Sequence, residues 1–263
     1  MQGRLGVDGP VALLTLPCPR FVAEAEIVPE GSSADARPHP LAERAAAIAA
    51  RALGLGAAPR VDLRCTAPPG VGAGSSSMIA LATVRAVAAS AGLRLRPEIE
   101  APLLLEIEGA VDPLMWPDAG ALLWASRAAR RLETFATAFR WTLVGGFDGR
   151  PQRTDPEDEN FADISDLVAA FERAAEAGDR AAAAEIATQS ALRNQALRPK
   201  PSFAAVRALA EELGAGVVVA HTGSALGLLL APNFRGARRA AEALRRLGLD
   251  AVFVDDAGGA DPA

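Results

Sequence analysis

Residues Ala67–Gly92, APPGVGAGSSSMIALATVRAVAASAG, constrain this chain more than any other stretch. A strand-like run, Val61-Asp62-Leu63-Arg64-Cys65-Thr66, leads into two prolines and three glycines. Three serines follow, and then Met78, Leu81, Val84 and Val87 recur at helical spacing up to Gly92. This order predicts a strand, a tight loop, and a helix that buries one face and is capped by Gly92. A glycine-rich loop at a helix N-terminus presents unpaired backbone N–H groups with no side chain in the way, and the helix dipole there favours negative charge. The stretch is therefore a candidate phosphate site. It has no lysine, which excludes the pattern G-x-x-x-x-G-K-[ST], and Gly70, Gly72 and Gly74 do not space as G-x-G-x-x-G.

The rest of the chain divides around an acidic run, Gln152–Asn160, QRTDPEDEN. Ahead of the phosphate loop, Val11–Leu16 and Phe21–Val28 read as strands, Gly31–Pro40 as a loop and Leu41–Leu53 as a helix. Beyond the loop, Arg96–Glu108 reads as a helix that Pro102 would kink or delay, followed by a loop at Val111–Trp116 and a short strand at Leu122–Ser126. The second half reads as a strand at Trp141–Val144 ending in Gly145-Gly146, then helices at Phe161–Ala177, Asp179–Gln195 and Phe203–Leu213. Strands follow at Val217–Ala220 and Leu226–Ala231, then a helix capped by Asn233 and running to Leu247, a strand at Ala251–Val254 and a frayed tail. This β-α-α-α-β-β-α-β order predicts an α+β protein in two subdomains, residues 1–145 and 146–263.

Composition narrows the function. Of 263 residues, 50% are apolar and 22% charged, enough for a sizeable core. The net charge of −5 with no basic block argues against nucleic acid, and the absence of tyrosine removes stacking platforms. Cys18 and Cys65 match no zinc spacing and read as buried free thiols. No apolar run reaches membrane-spanning length and the start lacks a basic-then-apolar signal, so the expectation is a soluble, cytoplasmic protein. Lys200 is the only lysine, so any mechanism needing one has a single candidate.

The order Pro68, then Gly72-Ala73-Gly74-Ser75-Ser76, resembles the central motif of the GHMP kinase superfamily, in which a proline and three variable residues precede Gly-Leu-Gly-Ser-Ser. Ala73 replaces the usual leucine, and Ser77-Met78 replaces the usual small pair. The segments GRLGVDGPVALLTLPCP, Asp112-Pro-Leu-Met, Ser190–Gln195 and Ala220–Ser224 resemble the L-threonine kinase branch of that superfamily, linked to cobalamin synthesis and propanediol utilisation.

The resemblance implies a GHMP kinase-like two-subdomain fold, an N-terminal mixed sheet with helices and a C-terminal ferredoxin-like α/β plait. It implies ATP and Mg²⁺ as cofactors and a small hydroxyl-bearing substrate, L-threonine first, with no nucleic-acid or membrane partner and a homodimer as the candidate assembly. Pro68, Gly70, Gly72, Ala73, Gly74, Ser75, Ser76 and Ser77 would bind the triphosphate, Ser76 and Glu108 the metal, and Asp112 would orient or deprotonate the acceptor. Glu108-Gly-Ala-Val-Asp112 is one residue longer than the Glu-Pro-x-Asp of threonine kinases, which leaves Glu106 as an alternative metal ligand. His221, Thr222, Gly223 and Ser224 would form a substrate-side loop. Family members also carry a strand with Gly-x-x-Gly-Glu ahead of the position of Gln2-Gly3-Arg4, and the chain is expected to begin inside that region. A non-catalytic nucleotide-binding relative, or a kinase for homoserine or another small alcohol, is the alternative that follows.

Overall fold

The computed structural model describes residues 1–29, 39–151 and 155–259. The Gly31–Pro40 loop up to residue 38, the residues 152–154 that open the acidic run, and residues 260–263 of the tail lie outside the described residues.

The first half alternates strands and helices: β1 (Gln2–Arg4), β2 (Val11–Leu14), β3 (Ala23–Ile27), α1 (Pro40–Ala52), β4 (Val61–Cys65), α2 (Ser75–Ser90), α3 (Pro97–Glu108), β5 (Leu122–Ala125) and β6 (Arg130–Thr134). Four of these strands form an antiparallel sheet in the order β1-β2-β5-β6, and β3 pairs with β4 in a separate antiparallel ribbon. Helices α1, α2 and α3 pack on one another through Ala45, Ala49, Val84, Val87 and Leu104, and Leu13 and Trp124 from the sheet close this core.

The second half is β7 (Arg140–Phe147), α4 (Ser165–Ala177), α5 (Arg180–Leu197), α6 (Phe203–Leu213), β8 (Gly216–Val219), β9 (Ala225–Leu230), α7 (Ala237–Arg246) and β10 (Asp250–Gly258). Its antiparallel sheet runs β10-β7-β9-β8, so the last strand lies beside the first and the third beside the second, as in a ferredoxin-like plait. A second core joins the halves: Ala12 of β2 and Leu123 of β5 share one apolar cluster with Trp141, Leu143, Phe171, Leu229 and Phe253. Strand β7 crosses the 145/146 position expected to divide the subdomains.

Several elements differ from expectation. Strand β1, in a glycine-rich stretch to which the sequence pattern assigns no element, forms by pairing with β2, and Gly3 lets it pass close to residue 162, where a Cβ would lie 2.4 Å from the Ala162 carbonyl oxygen. Strand β6 is a charged edge strand, and pairing with β5 rather than apolar alternation makes it. Strand β7 continues through Gly145-Gly146, where Cβ atoms would come within 3.0 Å of the Phe253 ring and 2.9 Å of the Asp250 carbonyl. Helix α4 begins at Ser165, not Phe161, because the Phe161 ring is buried beneath the Arg127 and Arg198 guanidiniums, at 5.4 Å and 4.6 Å. Asn233 does not cap α7; it sits in a left-handed turn at φ +60°, and the helix starts at Ala237. Asp255–Gly258 is ordered strand, with Gly258 N donating to Pro17 O. Helix α3 contains Pro102 without a delayed start, and Cys18 and Cys65 are free but only partly buried.

An ion pair between a half-exposed guanidinium and a buried carboxylate links α2 to α3. Glu100 is 1% exposed and accepts from Arg85 Nε at 2.7 Å and Nη2 at 2.9 Å. Removing the cation strands a buried carboxylate, so Arg85→Ala is expected to cost about 3 kcal/mol in urea unfolding. Glu100→Gln/Arg85→Ala, which removes both charges, should recover most of that loss.

Candidate active site

The loop after β4 turns on glycines held at positive φ: Gly70 at +75°, Gly72 at +80° and Gly74 at +71°. Gly74 is the N-cap of α2, and no side chain caps that end. The first-turn amides of α2 are thus left for an outside acceptor, with the helix dipole behind them.

The first turn of α2 meets the end of α3. Ser76 Oγ donates to Glu108 Oε1 and Ser77 Oγ to Glu108 Oε2, each at 2.8 Å. Ser77 Oγ also accepts from Asp112 N at 3.3 Å. Gly109, at φ +76°, ends α3, and the following turn is pinned to β5 by Val111 N to Ser126 O and by Trp124 Nε1 to Val111 O at 2.8 Å. These bonds aim Asp112 back at the glycine loop, where its Oδ2 would lie 3.4 Å from a Cβ on Gly74.

Glu106 points elsewhere. It pairs with Arg51 on the α1 side and is half-exposed, because residues two apart on a helix face different directions. Of the two glutamates, Glu108 is the one in contact with the serines.

Both site carboxyls bind protons more tightly than usual. Burial pushes Glu108 up to about 7; the two serine hydrogen bonds oppose this and the neighbouring Asp112 charge adds to it. Burial alone lifts Asp112 to about 6. Two desolvated carboxylates side by side lack positive charge.

The glycine loop opens onto a cleft of 1010 Å³ whose lining includes Gly72, Ala73, Gly74, Asp112, Phe147 and Phe253. Of the four residues expected on the substrate side, His221 reaches this cleft. Its ring is engaged within the protein, however: Nε2 accepts from Gln2 N at 3.2 Å and lies 3.0 Å from Ser190 Oγ, and burial holds its pKa well down. Thr222 and Gly223 press their backbone on the glycine loop, so that a Cβ on Gly72 would lie 2.5 Å from Thr222 O. Ser224 is buried, and its hydroxyl has no hydrogen-bond partner among the described residues. Pro68 and Gly70 lie on the approach to the loop.

The wall formed by Pro17, Cys18, Phe21, Phe253 and Asp255 was not visible as part of a site. Its residues come from the β2–β3 loop and the last strand, joined by the Gly258 N to Pro17 O hydrogen bond and the Phe21–Phe253 ring contact, and no local motif marks them.

Among the described residues no three His, Cys, Asp or Glu side chains gather around one point, and no helix is long and apolar enough to cross a membrane. Residues 40–115 match the family model of the GHMP kinases N terminal domain. An L-threonine kinase of Citrobacter freundii is 30% identical over 196 residues, which are 66% of this chain and 63% of the relative. The homoserine kinase of Cytophaga hutchinsonii superposes with a TM-score of 0.62 at 14% identity, covering 93% of each chain. The Streptococcus pneumoniae phosphomevalonate kinase, solved with phosphomevalonate and AMPPNP, gives 0.62 at 14% identity over 88% of this chain and 89% of that one.

Proposed function

We propose that this chain is a kinase of the GHMP type, which transfers the γ-phosphoryl group of ATP to the hydroxyl of a small metabolite, with L-threonine as the leading acceptor. The single observation that carries the reading is the contact of Ser76 and Ser77 with Glu108 beneath an uncapped helix end, with Asp112 held beside it. The threonine assignment is supported by the C. freundii relative, and the fold alone is shared with homoserine and phosphomevalonate kinases.

A divalent cation fits these residues. Glu108 is buried with its proton held up to about 7, and the nearby donors are hydroxyl and carboxylate oxygens, the hard ligands that Mg²⁺ prefers. Ser76 and Glu108 would hold the ion, with phosphate oxygens and water completing the shell; when bound, it neutralises charge on the transferring phosphates. We assign nucleotide binding to the subdomain of residues 1–145; the rest of the cleft lining comes jointly from its Pro17–Phe21 segment and from Phe147, Phe253 and Asp255 of residues 146–263. The amides at Gly72–Ser77 would bind the phosphates and fix their direction.

Asp112 then acts on the acceptor. Its carboxylate accepts a hydrogen bond from the acceptor hydroxyl and takes the proton as the new O–P bond forms and the bond to the bridging oxygen of ADP breaks. A carboxyl lifted to about 6 is suited to receive that proton near neutral pH.

The test is ADP release from Mg·ATP with L-threonine, homoserine and mevalonate as acceptors. Threonine-dependent release is expected, falling about 10²–10⁴-fold in Asp112→Asn. Turnover only with another alcohol would overturn the threonine assignment; ATP binding with no turnover on any alcohol would overturn the kinase reading.

A further inference from the structure

The sole lysine has no part in the chemistry above, yet it is built in behind the turn on which the glycine loop rests. Lys200 lies between α5 and α6 and is 5% exposed. Its Nζ donates to two main-chain carbonyls, Ala220 O and Gly223 O, each at 2.9 Å. Its own backbone is gripped on both sides by one residue: Lys200 N donates to Gln195 Oε1 at 2.9 Å, and Gln195 Nε2 donates to Lys200 O at 3.1 Å.

The segment that Lys200 grips is the one the glycine loop rests on. A Cβ on Gly72 would lie 2.3 Å from Ala220 Cβ, and a Cβ on Gly223 would lie 2.5 Å from Gly72 N. Ala225 N donates to Val71 O at 2.8 Å, tying the two turns together. Backbone packed this closely leaves no slack, so a shift of one turn must move the other.

From this geometry we propose that Lys200 is a positioning residue for nucleotide: by bridging Ala220 and Gly223 it holds the turn beneath Val71–Gly72 and thereby the shape of the phosphate loop. The inference rests on the nucleotide-binding reading above. An ammonium suits the task because it offers three donors from one atom, and loss of it would leave two partly buried carbonyls without that donor. The groups around it are charged or polar in a defined way. Burial lowers Lys200 to about 8, with Asp148 favouring its charge and Arg198 opposing it. The Asp148 carboxylate is itself held by Ser202 N and Ser202 Oγ at 2.7 Å and 3.2 Å, and the neighbouring His221 ring is kept neutral.

One lysine gives one side-chain ammonium resonance in protein labelled with ¹⁵N-lysine. Titrating Mg·AMPPNP into the intact protein is expected to shift that resonance with the same saturation curve as calorimetric binding of the nucleotide. Lys200→Met is expected to raise KM for ATP about 10-fold or more while kcat changes less than about 3-fold, and Lys200→Arg to recover most of the loss. A resonance that stays in place while calorimetry shows the nucleotide binding would overturn the positioning role, as would an unchanged KM in Lys200→Met. If the methionine variant does not fold, the titration of the unaltered protein decides alone. Absence of any calorimetric binding would overturn the nucleotide reading and this inference with it.

Discussion

Glu108→Gln is expected to abolish turnover and, at the same time, to raise the thermal midpoint of the nucleotide-free protein at pH 8. The carboxyl is held up to about 7 by burial, against an ordinary value of 4.5. Between those two values the folded state binds the proton more tightly than the unfolded chain, so stability falls as pH rises. The contribution of this group is fully present below about pH 4.5 and lost above about pH 7, where the folded protein carries a desolvated charge. Glutamine removes that charge and keeps an oxygen for one serine and an amide for the other. The gain at pH 8 should be about 1–3 kcal/mol, an upward shift of about 2–8 °C, and should vanish near pH 4.5. Turnover should drop at least about 10²-fold, because the oxygen ligand charge that would hold the cation is gone. A melting curve of the variant that matches the parent at both pH values would show that Glu108 is not desolvated as the structure has it. The same proton links to the ligand: binding of Mg·ATP should tighten as pH rises from 6 to 8, since the cation requires Glu108 to be ionised.

Gly72→Ala should be strongly damaging to both stability and nucleotide affinity. At φ +80° an L-residue is strained wherever it sits, and here the new Cβ would also lie 2.3 Å from Ala220 Cβ and 2.5 Å from Thr222 O. Neither neighbour is a flexible side-chain end that can swing aside. The loop must move off the Ala220–Gly223 turn, which takes the amides of the phosphate cradle with it. We expect a loss of about 3 kcal/mol or more in urea unfolding and at least a 10-fold loss of calorimetric affinity for Mg·AMPPNP. Gly92→Ala is the control. It has nearly the same backbone angle, φ +72°, but nothing within 4 Å of its Cβ. It should cost only about 1–2 kcal/mol of backbone strain and leave nucleotide affinity unchanged. Equal effects of the two on affinity would mean that the close contact of the two turns does not matter.

Much of the fold is legible in the chain's local patterns. The helix after the serines, the three successive helices of the second half and the strand pair around residues 217–230 follow from apolar spacing and glycine stops. What escaped was set by partners. Strands β1 and β6 have no apolar alternation, and β10 extends over residues whose composition reads as a tail. Each becomes a strand because a neighbouring edge supplies the hydrogen bonds.

The candidate site divides in the same way. A lysine-free glycine and serine loop opening a helix is a local arrangement, and its backbone requirements can be read from residue order alone: glycine for positive φ, serine for hydroxyls on the first turn. Which carboxylate joins it could not be read. Glu106 and Glu108 are two residues apart on one helix, and only the packing of α2 against α3 turns Glu108 toward Ser76 and Ser77 while Glu106 meets Arg51. Likewise the one lysine was conspicuous in the sequence, but only the crossing of the α5–α6 connection beneath residues 220–223 gives its ammonium two carbonyls to hold. Residue order by itself determined the glycine loop proposed to bind phosphate, since loop and helix start are contiguous and governed by short-range sterics. Tertiary structure decided what faces that loop, because those groups lie tens to more than a hundred residues away and meet it only through helix and sheet packing.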